Sequence, residues 1–395
     1  MFRKYIPSLN VFKLFFFVGI VWAAIVGPFS SILILQSFGA SSSLIGIFSS
    51  ISAVLSMVFQ PVWGLLGDKI NSPRRVLCFN LGISGIFFGC VLLTNNLYIA
   101  AGLMLLDITF RCSTIALLDS HTLSEISTIP RMQYSYIRMS GSVFYGIMSF
   151  IYSGIINARG VISIIPVSLC IMVFAVFWGF FAAKGQWESS RNQGSSDNKV
   201  KRNLKSEAAS LLRNKPYIIF VLYASFSALS TGPVFNFIIF YVTAVGGNPG
   251  DVPMIHAIRC ITEIPMFVLI GLIGKKYGAR KLILTGMGFS FVYIIGLLFS
   301  NSLLGLTLSH ALAGAPAFIL GLSGRMRYLS ELTPLSVRST SITVMYACEI
   351  GLGSITGNLI AGFLLGIYGT HVLTLVALGA LFASAITLML IPRRV

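Results

Sequence analysis

The 395-residue chain is 56% hydrophobic and 10% charged, with a mean hydropathy of +0.88, whereas a soluble domain carries roughly 25% charged residues. Charged side chains are too few to coat a water-soluble fold, and long unbroken apolar runs exclude an outer-membrane barrel, whose strands alternate apolar and polar residues. The net charge of +17, from 28 Lys and Arg against 11 Asp and Glu, would suit nucleic acid only if the cations clustered on one surface.

Turn signals divide the chain into about twelve apolar stretches, each long enough for a ~30 Å hydrocarbon core. They start near Phe12, Ser42, Val76, Leu97, Gln133, Val161, Lys215, Val252, Lys281, Ser302, Arg338 and His371. The first follows Arg3 and Lys4 in the manner of a secretory signal, but it is too long and lacks a small-residue cleavage site, so it reads as a membrane helix. Basic residues fall in alternate connections: Arg3 and Lys4, then Lys69, Arg74 and Arg75, then Arg131, the runs 184–215, 275–281 and 325–338, and finally Arg393 and Arg394. The opposite side receives essentially only Arg159. The positive-inside rule therefore predicts a multi-pass protein of the cell membrane with both termini and the long middle loop in the cytoplasm. The excess charge serves topology and contacts with anionic lipid headgroups rather than nucleic acid.

The one long hydrophilic stretch, 184–214, lies near the middle of the chain and reads as a linker, with a short amphipathic helix over 204–212. Six apolar spans precede it and six follow, so the expected fold is all-α and integral to the membrane, in two six-helix pseudo-symmetric halves, 1–183 and 215–395. The halves echo each other: Gly64-Leu-Leu-Gly-Asp68-Lys69 is answered by Gly271-Leu-Ile-Gly-Lys275-Lys276 at an offset near half the chain. Each copy joins the second and third spans of its half. The six cysteines stand singly in apolar spans, with no C-x-x-C and no His partner at metal spacing, so neither disulfides nor a structural metal is expected.

Several charges fall inside spans, where each costs roughly 2.5–3.5 kcal/mol on insertion scales and so needs a partner or a wet cavity. Asp107 and Arg111 on span four are four residues apart and can pair along one helix face, with Asp119 two turns further on. Span five carries Arg138, span ten His310 and span eleven Glu349. On span eight His256, Arg259 and Glu263 are spaced by three and four, which sets them on one stripe directed at a central cavity rather than at lipid. His121 and His371, near span ends, are expected at the interface.

The segment Phe59-Gln60-Pro61-Val62-Trp63-Gly64-Leu65-Leu66-Gly67-Asp68-Lys69, followed by Arg74 and Arg75, resembles the loop motif of the major facilitator superfamily, in the form found in lactose-permease-type oligosaccharide:proton symporters. The likeness extends over nearly the whole chain at low identity. It implies that Gly64, Asp68, Lys69, Arg74 and Arg75 form a conformational latch, with small residues allowing close helix packing and Asp68 pairing with basic groups or capping a neighbouring helix. It further implies a monomer in the lipid bilayer that moves a small polar solute with protons by alternating access. Arg138-Met139-Ser140-Gly141 is similar to the segment bearing the sugar-binding arginine of that branch, Asp119 stands where its partner carboxylate would be, and Tyr145 where an aromatic covers the sugar ring. Glu263 and His310 correspond to the acid of span eight and the histidine of span ten. Carboxylates accept and arginine donates hydrogen bonds to sugar hydroxyls, and an aromatic face covers the C–H side of the ring.

Two departures separate the chain from that branch: Tyr293 stands where an arginine is usual on span nine, and Ala313 where an acid follows the histidine of span ten. With that proton site missing, Glu263 first and Glu349 second are expected to carry the proton, with Asp119 as a further option, since burial disfavours a charged carboxyl. Export by a proton antiporter and uptake of organic acids through Arg138, Arg111 or Arg259 remain open, although Gly141-Ser-Val-Phe-Tyr-Gly146 lacks the proline of antiporter motifs. No H-E-x-x-H, G-x-S-x-G or Walker loop is present, so neither enzyme activity nor a cofactor is expected.

Overall fold

The computed structural model describes residues 9–70, 72–127, 134–181, 213–273, 276–333 and 338–391. Arg3, Lys4, Arg131, linker residues 184–212 with their expected amphipathic helix, Lys275, Arg393 and Arg394 lie outside the described residues, as does the side chain of Asp68. All regular structure among the described residues is helical. That follows from the solvent: within hydrocarbon each backbone N–H and C=O must be satisfied inside the segment, which a helix achieves alone.

The first half of the chain comprises α1 (Leu9–Ala23), α2 (Ser30–Phe38), α3 (Ser42–Lys69), α4 (Pro73–Cys90), α5 (Leu97–Arg111), α6 (Thr114–Ser127), α7 (Tyr134–Arg159) and α8 (Ile164–Phe181). The second comprises α9 (Lys215–Asn236), α10 (Ile238–Ala244), α11 (Asp251–Ile273), α12 (Ala279–Leu298), α13 (Leu303–Leu308), α14 (Ala315–Leu332), α15 (Arg338–Cys348) and α16 (Thr356–Met389). Two π-helical stretches, Ser309–Gly314 and Glu349–Ile355, join α13 to α14 and α15 to α16. Polar caps fix several starts: the side chain of Asn96 accepts from the amides of Tyr98 and Ile99, that of Asn214 from Tyr217, and that of Ser302 from Gly305. Gly39, in the left-handed region at φ 67°, ends α2.

Among the described residues, ten helical segments are long and apolar enough to cross a membrane. One of them, Val344–Met389, reverses at Gly369, where φ is 71° and ψ −168°, and so supplies two crossings. With the shorter apolar stretch Asn10–Ala23, which continues through a 3-10 turn into α2, the described segments account for the twelve starts read from the sequence.

The first-half and second-half helices meet along two seams, α3 against α16 and α7 against α11. On the α3–α16 seam the backbones touch. A Cβ on Gly46 would lie 2.8 Å from the Gly362 Cα and 2.8 Å from the Asn358 carbonyl oxygen, while the Ser50 hydroxyl donates to the Ile355 carbonyl at 3.1 Å. On the α7–α11 seam a Cβ on Gly146 would meet Cys260 at 2.9 Å, and Gly250 abuts Asn157. The Gly46–Gly362 and Gly250–Asn157 contacts lie toward the end of the bundle that carries Arg159. Small residues allow such approaches, which lipid, as apolar as the helices themselves, does not otherwise reward.

In the α3–α4 connection no described residue lies within 4 Å of a Cβ built on Gly64, whereas one on Gly67 would meet Leu117 at 3.0 Å. Lys69 and Arg75 are exposed. Arg74 is buried and donates to the Gly179 carbonyl at 2.6 Å, in the last turn of α8, where a cation also complements the helix dipole. Glu125, at the end of α6, lies within electrostatic reach of Arg74, and burial holds its carboxyl above the ordinary carboxylate range despite that cation.

Candidate functional site

A cavity of about 610 Å³ lies between α1 and α7 on one side and α9, α11, α12 and α14 on the other. Its first-half wall is built on α7. The Arg138 guanidinium carbon sits 3.7 Å from the centroid of the Trp22 ring, a cation–π contact that holds the charge against an apolar surface. Tyr134, one turn earlier and outside the span, hydrogen-bonds both Asp119 and Arg138, so the carboxylate is linked to the arginine through a phenol. Burial pushes the Tyr134 phenol well above its usual range, and the Asp119 charge adds to that. Asp119 itself stands behind Arg138 and is not among the cavity-lining residues. Tyr145, two turns beyond Arg138, lines the cavity with its ring parallel to Phe29 at 6.2 Å and edge-on to His256 at 6.5 Å.

The second-half wall is built from the stripe on α11. Glu263 Oε1 lies 3.0 Å from Arg259 Nε, and Oε2 accepts from the Ser142 hydroxyl at 2.8 Å. The Glu263 carboxylate thus connects α11 to α7 across the seam. His256 meets His310 edge to face at 5.3 Å, with the Phe235 ring 4.9 Å from His256. His310 is the second residue of the π-helical stretch after α13, and its Nδ1 is 2.8 Å from the Tyr293 hydroxyl. Tyr293, at the position lacking an arginine, therefore orients the histidine. Trp22 Nε1, His256 Nε2 and His310 Nε2 are buried without a hydrogen-bond partner among the described residues, and all three residues line the cavity. Buried polar atoms are costly unless paired, so these are points at which a polar ligand gains hydrogen bonds.

Three further expected residues, Glu349, Asp107 and Arg111, lie elsewhere. Glu349 is not among the lining residues: its Oε1 accepts from Arg325 Nη1 at 2.7 Å, and its Oε2 is buried without a partner. Asp107 and Arg111 form the expected pair, with Arg111 Nη2 2.6 Å from Asp107 Oδ2 and Nε 3.1 Å from both oxygens. Asp107 also accepts a short hydrogen bond from Ser84, which ties the pair to α4.

Two placements correct the sequence reading. Arg325, counted with the basic connection 325–338, lies inside α14 and lines the cavity, its side chain only 15% exposed because Glu349 neutralises it. His121, expected at the interface, is buried with its ring edge-on to Phe17. Trp22, Ser142, Phe235 and Tyr134 were not singled out at all. Aromatic and hydroxyl side chains in an apolar span look like packing until the partner from a distant helix is known. Arg325 carried a signal, since an arginine 24 residues before the Glu349 of the next span is a candidate counter-ion.

Residues 7–376 match the MFS_1 like family. Bacterial relatives align along most of their length. They include the uncharacterized transporter YwbF of Bacillus subtilis, 22% identical over 357 residues, covering 89% of this chain and 84% of that protein. The multi-drug resistance efflux pump PmrA homolog of Lactococcus lactis is 23% identical, covering 89% and 86%, and the maltose permease of Geobacillus stearothermophilus is 21% identical, covering 90% and 87%. Among solved structures, a mutant of the nucleoside transporter NupG superposes with a TM-score of 0.78 at 14% identity, over 96% of this chain and 98% of that one, so the fold is shared. With an all-helical membrane architecture, a central polar cavity and a family match spanning nearly its full length, the chain belongs to the MFS_1 like family of transporters.

Proposed function

We propose that the protein imports a small uncharged hydroxylated solute, a sugar or oligosaccharide, together with a proton, by alternating access between the halves 1–183 and 215–395. The observation that carries this reading is the charge balance of the cavity. Its arginines, Arg138, Arg259 and Arg325, are matched by Asp119, Glu263 and Glu349. A neutral site lined with hydrogen-bonding groups and aromatic rings favours a polyol over an organic anion. Arg138 and Tyr145 would hold one ring face and its hydroxyls, and His310 and Glu263 the opposite edge.

Glu263 is the one carboxylate among the described lining residues, and it takes the proton in this scheme. Protonation removes its attraction to Arg259 and weakens its bond from Ser142, which loosens the α7–α11 seam when the solute is bound. Glu349, already held by Arg325 away from the cavity, is the second candidate. The basic face is cytoplasmic by the positive-inside rule, so in this scheme the contacts at Gly46 and Gly250 shut the outer side, and a monomer suffices because one chain lines the site.

Proteoliposomes loaded with a pH-sensitive dye test the scheme. A disaccharide gradient should drive proton movement in the same direction as the sugar, and Glu263→Gln should abolish that movement while sugar exchange continues. Proton movement opposite to the solute, or driven only by antibiotics or organic acids, would reject sugar symport and assign one of the other transport modes.

A further inference from the structure

We infer that a second cavity, opening off the first past Gly27, is a subsite for an uncharged hydroxyl-bearing group of the transported solute. This rests on the sugar reading above and extends it to a region none of its residues occupies. The second cavity, about 270 Å³, lies between α3 and α5 on one side and α9 and the Glu349–Ile355 stretch with α16 on the other, and it shares Gly27, Asn236 and Ser354 with the main cavity.

Its wall is polar in a specific way. Arg111, whose side chain is 9% exposed, commits Nε and Nη2 to Asp107. Its Nη1 is directed at the mouth, since a Cβ on Gly27 would lie 3.1 Å from it. The Asp107–Arg111 pair thus cancels its own charge while offering a donor to the cavity. Ser30, 7% exposed, has a buried hydroxyl with no hydrogen-bond partner among the described residues and lines the same space. On α3 the hydroxyls of Ser52 and Ser56, which line the cavity, donate to the carbonyls of Phe48 and Ser52 at 2.7 and 2.8 Å, which leaves their lone pairs available as acceptors. Donors and acceptors are therefore mixed around a site of no net charge. A carboxylate would face the serine lone pairs, an apolar group would leave Ser30 unsatisfied, and a group bearing several hydroxyls satisfies both sets. Gly27 is the throat: the absent side chain lets a solute extend from the main cavity to Arg111.

Equilibrium binding of glucose and maltose to the purified full-length protein tests the inference. Ser52→Leu fills the second cavity and Gly27→Ala narrows its mouth. Maltose affinity should fall roughly tenfold in each variant, with glucose affinity and melting temperature unchanged. Equal losses for both sugars, or no loss for either, would overturn the subsite and leave the sugar reading intact. If the wild-type protein binds neither sugar, the subsite and the sugar reading fall together.

Discussion

Replacing Gly46 by alanine should part the α3–α16 seam at the end of the bundle that carries Arg159. The added Cβ would lie 2.8 Å from the Gly362 Cα and from the Asn358 carbonyl, against ordinary carbon contacts of about 3.5–4.0 Å. Both neighbours are backbone atoms and cannot swing aside as a side-chain tip does, so α3 and α16 must separate by about 1 Å or the seam must part. Overpacking of this kind costs about 1–3 kcal/mol. That cost falls only on the conformation in which the seam is closed, and it corresponds to a shift of about 5- to 150-fold toward the conformation in which the seam is apart. Spin labels at Ser41→Cys and Thr370→Cys, in a protein whose six native cysteines have been replaced, report the separation of α3 and α16 at that end by pulsed electron resonance. The longer distance should gain population in Gly46→Ala. An unchanged distance distribution in a folded variant would refute the argument, because the glycine contact would then not be what holds the seam closed.

Removing the Arg325 guanidinium with Arg325→Ala leaves Glu349 uncompensated and should cost about 3–5 kcal/mol; the double variant Arg325→Met, Glu349→Leu should recover most of the lost melting temperature in detergent. Trp22→Leu removes the ring beneath Arg138 and, at about 0.5–2 kcal/mol for a cation–π contact, should weaken solute binding roughly 2- to 30-fold, measured by displacement of a labelled solute. Because burial raises the Glu125 carboxyl above its unfolded value, the folded state retains a proton that the unfolded state has lost. Stability should therefore fall as pH climbs through the window from the ordinary carboxylate range to that raised value. A series of melting curves should show the decline in wild type and its absence in Glu125→Gln.

The spans were legible because length, apolarity and capping residues such as Asn96, Asn214 and Ser302 are local signals, and a helix satisfies its own hydrogen bonds. The stripe of His256, Arg259 and Glu263 was legible for the same reason, since spacings of three and four fix a shared face without knowledge of any other helix. What completes that stripe was not: Ser142 reaches Glu263 across 121 residues of sequence, and a serine within an apolar run announces no partner. Arg325 was misplaced because a basic cluster normally ends a span, whereas here the helix runs on to Leu332 once Glu349 supplies the opposite charge. The Gly64 motif was legible as a pattern, but that Gly67 meets Leu117 depends on a helix remote in sequence.

The π-helical stretches at Ser309–Gly314 and Glu349–Ile355 begin within one residue of His310 and at Glu349. A π-turn holds one residue more than the α-turn it replaces. Each stretch therefore absorbs an extra amino acid without rotating the helix on either side of it. Elsewhere in a span the loss of one residue would turn every later side chain by about 100°. Here it would restore the ordinary helix, leave the flanking faces in register and change only what the widened turn presents. These are the positions in the bilayer where the gene can lose a codon and the protein keep its architecture while His310 or Glu349 is re-aimed.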